Sequence, residues 1–155
     1  MLQEVTLTTA RNLSPLFDEA VRKDHPVMIV RGGRERGLLL SRDSLLRILA
    51  PNRFHVDVVP EDDGGFTLWL QELEIGGYGA TLRDARQQLL SAARAYVKDY
   101  LQQFDFFRHV PDKARQEPYV MRLSLAKDDG ELIDMLFGGD SSTGEVSAAP
   151  GSATG

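Results

Sequence analysis

Val27-Met28-Ile29-Val30-Arg31-Gly32-Gly33-Arg34-Glu35-Arg36-Gly37-Leu38-Leu39-Leu40-Ser41 joins two apolar runs through a glycine-broken, basic turn and ends on a helix-capping serine. Residues 27–30 and 38–40 have β composition, and the glycines supply the backbone freedom that a tight hairpin demands. The stretch predicts two antiparallel strands with Arg31, Arg34 and Arg36 gathered at one tip. Ser41 then caps a helix carrying Leu45, Leu46, Ile48 and Leu49, which Pro51 ends.

Upstream, residues 3–7 read as a short strand. Thr8 or Thr9 caps a brief helix, because its hydroxyl can accept an orphan backbone N–H. Ser14-Pro15 is expected to restart the helix, with Ser at the N-cap and Pro at the first helical position. Leu13, Leu16, Phe17, Ala20 and Val21 follow at helical spacing as one buried stripe, and Asp24-His25-Pro26 stops it. Residues 1–50 thus form a βααββα module. A module of about 50 residues buries too little surface to be secure alone, and dimerisation would supply the rest.

Downstream, residues 53–104 read as a βββα unit. Phe54, Val56 and Val58 alternate, as do Phe66, Leu68 and Leu70, around the turn Pro60-Glu61-Asp62-Asp63-Gly64-Gly65. A third strand is expected near 76–80. Thr81 with Asp84 marks the start of a helix whose apolar residues run from Leu82 to Leu101 in steps of three and four. Residues 105–137 are expected to form a C-terminal strand–helix arm: 119–125 alternates as a strand, and 131–137 is a short amphipathic helix. Residues 138–155 are Gly, Ser, Ala and Thr with little to bury, and are expected to be a disordered tail. The fold class is therefore α+β.

The 155-residue chain is 42% hydrophobic, enough for a real core. It contains no cysteine, which excludes disulfides, thiolate metal sites and cysteine nucleophiles. No apolar run approaches the roughly 20 residues that cross a bilayer. The N-terminal residues lack a basic region followed by an apolar one, so a cytoplasmic location is expected, with no membrane partner. The net charge is −5 but unevenly spread. Residues 1–50 hold 8 Lys+Arg against 6 Asp+Glu, whereas the remainder holds 10 against 17. A basic head on an acidic body can set one face on phosphates while the rest repels them.

Thr9-Ala10-Arg11-Asn12-Leu13-Ser14 after the first strand, the hairpin from Ile29 to Glu35, and the step Leu38-Leu39-Leu40-Ser41 occur together in that order. On these pieces the first module resembles the Phd/YefM antitoxins. The resemblance implies a symmetric homodimer that binds operator DNA, with DNA-contacting arginines at Arg11 and Arg31. Arg34 and Arg36 join that patch by proximity. A two-fold dimer would present each arginine twice to a palindromic site, and the planar guanidinium suits both phosphate and guanine. Further pairing of dimers stays open.

The second module resembles the HicB-type antitoxin domain through Pro60 to Phe66, Leu73, and Thr81-Leu82 opening a helix with Ala85. It departs from that pattern at Glu74-Ile75-Gly76-Gly77, where a Pro-Gly segment is expected, and in having no C-terminal DNA-binding motif. Together the resemblances imply a non-enzymatic antitoxin of a type II toxin–antitoxin system. Such a protein neutralises a cognate toxin, expected to cleave mRNA, and represses its own operon. Tyr119, Leu123, Leu125, Leu132, Ile133, Leu136 and Phe137 are the expected toxin contacts. The neighbouring acidic residues Asp128, Asp129, Glu131 and Asp134 would complement a basic RNA-binding face. The βββα unit is the other candidate for that task.

Two further readings stand beside this one. An adaptor could retain both folds without recognising DNA. Asp57, Glu61, Asp62 and Asp63 could serve a metal-dependent hydrolase, although consecutive turn residues point in different directions. His25, His55 and His109 lack metal-ligand spacing, and Arg31 to Gly37 lacks the spacing of a phosphate-binding loop. No cofactor is expected.

Overall fold

In the computed structural model, which describes residues 3–6 and 8–138, Gly32 and Gly33 sit at φ +57° and +70°. This left-handed pair gives the turn a twist that matches its flanking strands. β2 (Val27–Arg31) pairs antiparallel with β3 (Glu35–Leu39), from Val27↔Leu39 to Arg31↔Glu35. β1 (Gln3–Thr6) lies parallel on the other side of β2, with Thr6 opposite Val30, so the sheet order is β1-β2-β3. A parallel pair needs a crossover. Here it consists of a 3-10 turn (Thr9–Arg11), α1 (Leu13–Phe17) and a π-helical turn (Asp18–Arg22). Helix α2 (Arg42–Leu49) follows, with Ser41 Oγ accepting the Ser44 N–H at 3.0 Å as expected of its cap.

Two local expectations are corrected. α1 begins at Leu13 rather than after Ser14, and the Asn12 side chain before it makes no capping bond. Pro15 lies in the first turn, where a missing N–H forfeits no intrahelical bond. Nor is there one buried stripe. Leu16 and Ala20 are buried, whereas Leu13, Phe17 and Val21 are 50%, 50% and 40% exposed. Only a narrow arc of the crossover is buried, and the residues spaced by four along the neighbouring arc face outward.

The chain divides into two compact units, Met1–Asn52 with Asp99–Ala126, and Arg53–Lys98 with the described residues from Lys127 onward. Residues 105–137, read from sequence as one arm, are therefore split between them. The first unit gains α4 (Phe104–Phe107), α5 (Pro111–Ala114) and α6 (Glu117–Ser124). The strand expected at 119–125 is helix α6 and the residue after it. Val120 and Leu123, three apart, are the buried pair, and a helix brings such residues to one face where a strand would separate them. The Arg42 guanidinium donates to the Leu125 carbonyl at 2.7 Å, and Arg122 donates to the Asn52 carbonyl at 2.5 Å. Tyr100 is fully buried, donates its hydroxyl to the Lys113 carbonyl at 2.6 Å, and packs its ring 5.1 Å from Phe107.

In the second unit, β4 (Val56–Pro60), β5 (Phe66–Leu70) and β6 (Ile75–Gly79) form an antiparallel sheet, order β4-β5-β6. Helix α3 (Leu82–Gln102) covers one face, and Thr81 Oγ1 accepts the Asp84 N–H at 3.1 Å, as its start signal requires. The seat is close because β6 is glycine-rich: a Cβ on Gly77 would lie 2.2 Å from the Leu89 nitrogen. Leu68, Leu70, Leu73, Ala85, Leu89 and Ala93 make the core. α7 (Asp129–Phe137), capped by Asp128, adds Leu132 and Leu136, while Phe137 lies under the Arg86 guanidinium at 4.7 Å. The expectation of a disordered tail lies outside the described residues beyond Gly138. Among the described residues, no helix is long and apolar enough to cross a membrane.

Candidate nucleic-acid interface

Because β1 and β2 run parallel, the segments that follow them leave the sheet at the same end. Thr6 is level with Val30, so the turn carrying Arg11 and the hairpin carrying Arg31, Arg34 and Arg36 emerge side by side. An open groove of about 720 Å³ at that end is lined by Glu4, Thr6, Thr8, Val30, Arg31 and Gly32, among others; of the four arginines, Arg31 alone lines it. Thr6 Oγ1 accepts the Thr9 N–H at 3.2 Å and lies 2.9 Å from Thr9 Oγ1, which pins the start of the Arg11 turn. Tertiary structure thus gathers two of the sequence motifs, 20 residues apart, at one edge.

The four arginines are not equivalent. All are exposed. Arg31 is ion-paired with Glu35 across the hairpin, and that bond holds the Glu35 carboxyl below its usual range while raising the already high pKa of the guanidinium. Arg36 pairs with Glu4 at 3.0 Å. Among the described residues, the Arg11 and Arg34 guanidiniums have no such carboxylate partner. Two of the four guanidiniums are thus set against carboxylates, and phosphate oxygens can compete for such forks.

The expected toxin contacts are placed differently. Tyr119 and Leu123 lie on α6 and Leu125 just after it, in the first unit; Leu132, Ile133, Leu136 and Phe137 lie on α7, in the second. Leu123, Leu132 and Leu136 are at most 5% exposed, already used in packing, so offering them to a partner would require unpacking. Tyr119, Leu125, Ile133 and Phe137 are half-buried.

The carboxylates considered for a metal are occupied otherwise. Asp57 accepts from Gln71 at 2.8 Å, Glu61 accepts from Thr67 at 2.5 Å, and Asp63 accepts from the Tyr78 hydroxyl and, at 2.9 Å, from the Gly65 N–H. Among the described residues, no group of three or more His, Cys, Asp or Glu is arranged to hold a metal ion.

Sequence reasoning missed Asp24, treated only as part of a helix stop. Its carboxylate accepts from Ser44 at 2.7 Å, Ser41 at 3.0 Å and Arg47 at 2.8 Å, bonds that lower its pKa and tie the end of the crossover to the start of α2. The signal was Asp24 two residues before a proline, facing two serines and an arginine spaced at intervals of three at the start of α2 and along it. It becomes legible only once the pairing of β2 and β3 is known.

A PHD-like family model, described as an antitoxin of toxin–antitoxin, RelE/RelB, TA system, matches residues 1–138. Curated proteins gave no match. Among solved structures, the chain is similar to one described as the antitoxin part of a toxin/antitoxin system from Syntrophomonas wolfei subsp. wolfei. The TM-score is 0.74 at 23% identity, over 88% of this chain and 97% of that one, and the likeness supports the mixed α+β fold. With its family model spanning all the described residues, this chain belongs to the PHD-like family of toxin–antitoxin antitoxins.

Proposed function

We propose that the protein neutralises a cognate protein toxin by direct binding and represses its own operon as a two-fold dimer on operator DNA. Arg11, Arg31, Arg34 and Arg36 supply the DNA contacts. The observation that carries this reading is the shared sheet end, where parallel β1 and β2 deliver the Arg11 turn and the Arg31 hairpin to one edge. The exposed Leu13, Phe17 and Val21 stripe supports dimerisation, since a second copy would bury the apolar area that one small unit leaves in water. An edge presented twice by a two-fold axis matches a palindromic duplex.

Gel shifts with the DNA upstream of the gene test the repressor half, and rescue of cells expressing the adjacent small reading frame tests the antitoxin half. A salt-sensitive shift and rescue are expected. Failure of a folded dimer to shift that DNA at low salt would remove the repressor half.

The pairing of Arg31 with Glu35 and of Arg36 with Glu4 favours a second reading, an adaptor that keeps the fold without operator affinity. In that case the partner co-purifies while the gel shift fails.

A further inference from the structure

The β4-β5-β6 sheet has a second face, opposite α3. Cross-strand register places Asp57, Trp69 and Gly76 in one row there and Val59, Thr67 and Tyr78 in the next. The glycine contacts agree: Gly77 and Gly79 abut α3, whereas a Cβ on Gly76 would meet the Trp69 ring at 3.0 Å. A solvated sheet face is ordinarily polar. This one leaves Val59, Trp69 and Tyr78 43%, 40% and 49% exposed. The rings are held in place: Trp69 lies along Gly76, and Tyr78 donates its hydroxyl to Asp63. A rigid, half-exposed Trp and Tyr pair is the composition of an interface centre.

The rim decides what can cover it. Asp57, Glu61 and Asp63 border the aromatic rows, with their side chains bonded to Gln71, Thr67 and Tyr78. The bonds from Tyr78 and then the Gly65 N–H favour the ionised form of Asp63 and lower its pKa. Phosphate-bearing partners, nucleic acid or anionic lipid, would be repelled. Two copies of this face would bring like charges together, which disfavours self-association. We infer that the outer face of the β4-β5-β6 sheet, centred on Trp69 and Tyr78, is the docking surface for a basic protein, with lysines or arginines around an apolar centre. Resting on the antitoxin reading, it assigns toxin capture to this sheet rather than to α6 and α7, whose apolar residues are largely spent in packing.

Trp69 is the sole tryptophan of the chain, so 5-fluorotryptophan labelling gives one ¹⁹F resonance at the centre of the surface. The full-length labelled protein is titrated with the product of the adjacent reading frame, co-expressed to avoid toxicity and then separated. The resonance is expected to move on complex formation. Trp69→Ala is expected to weaken the complex at least about 30-fold, as for a central hot-spot residue. The exposed double change Asp57→Lys with Glu61→Lys, which leaves the core untouched, is expected to weaken it about tenfold and to blunt its salt dependence. Circular dichroism confirms the fold of each variant. If the complex forms but the resonance stays put, or if both variants bind within about threefold of wild type, the surface is wrong while the antitoxin reading stands. A resonance that moves with concentration in the absence of partner would make the face a self-interface and overturn the inference. No complex with the wild-type chain would overturn both.

Discussion

Replacing Arg11 with Ala removes a guanidinium that has no carboxylate partner among the described residues, and in a two-fold dimer it removes that group twice. Each phosphate contact on duplex DNA adds roughly 0.9 to the slope of log affinity against log salt, so the variant should flatten that slope by about 2. Between about 50 and about 200 mM salt, the wild type should then lose about tenfold more affinity than the variant. Arg31→Ala should flatten it less, because Arg31 must first release Glu35 to reach a phosphate. Glu35→Gln should do the reverse, freeing the Arg31 fork and removing a negative charge from the edge, so binding tightens and the slope steepens. Fluorescence anisotropy on labelled upstream DNA across a salt series measures all three, with sedimentation confirming equal dimer content. An unchanged slope in Arg11→Ala, or binding weakened as much by Glu35→Gln as by Arg31→Ala, would refute the assignment of this edge to DNA.

Three further outcomes follow from the geometry. Gly77→Ala places a methyl 2.2 Å from the Leu89 backbone nitrogen, so α3 must withdraw by more than an ångström. The expected loss is about 3 kcal/mol of stability, at the upper end for overpacking, read from urea midpoints. Phe17→Lys puts a charge in the exposed Leu13, Phe17 and Val21 stripe and should shift sedimentation towards monomer while leaving far-ultraviolet circular dichroism intact; a persistent dimer would move the interface elsewhere. Asp63 titrates below the ordinary aspartate range because Tyr78 first, and the Gly65 N–H second, donate to its charged form. Its contribution to the hairpin is thus complete above the unfolded pKa and disappears as pH falls through the lower folded one. Tyr78→Phe should raise the Asp63 midpoint in a carboxyl NMR titration, and an unmoved midpoint would discount that bond.

Much of the candidate edge was readable from the chain because its pieces are local. The double glycine at 32–33 and, elsewhere in the chain, the caps at Ser41 and Thr81 each act within a few residues, and the structure forms each of them. The 119–125 segment failed for a physical reason. Tyr119, Met121, Leu123 and Leu125 alternate, yet the burial of Val120 with Leu123 against their unit determines the outcome, and short apolar runs do not declare their period.

By itself, the sequence determined the hairpins, the long amphipathic α3 and the α+β class, since turn chemistry, capping and periodicity are short-range. Only the tertiary structure decided which arginines meet carboxylates, which arc of the crossover remains bare, and how residues 105–137 divide between two units. It also turned Trp69 and Tyr78 outward together, because strand register sets the shared face of residues in different strands and local pattern cannot. The pairing of Arg36 with Glu4 and the division of residues 105–137 depend on contacts between segments tens of residues apart, whose free energy exists only once the chain has closed on itself.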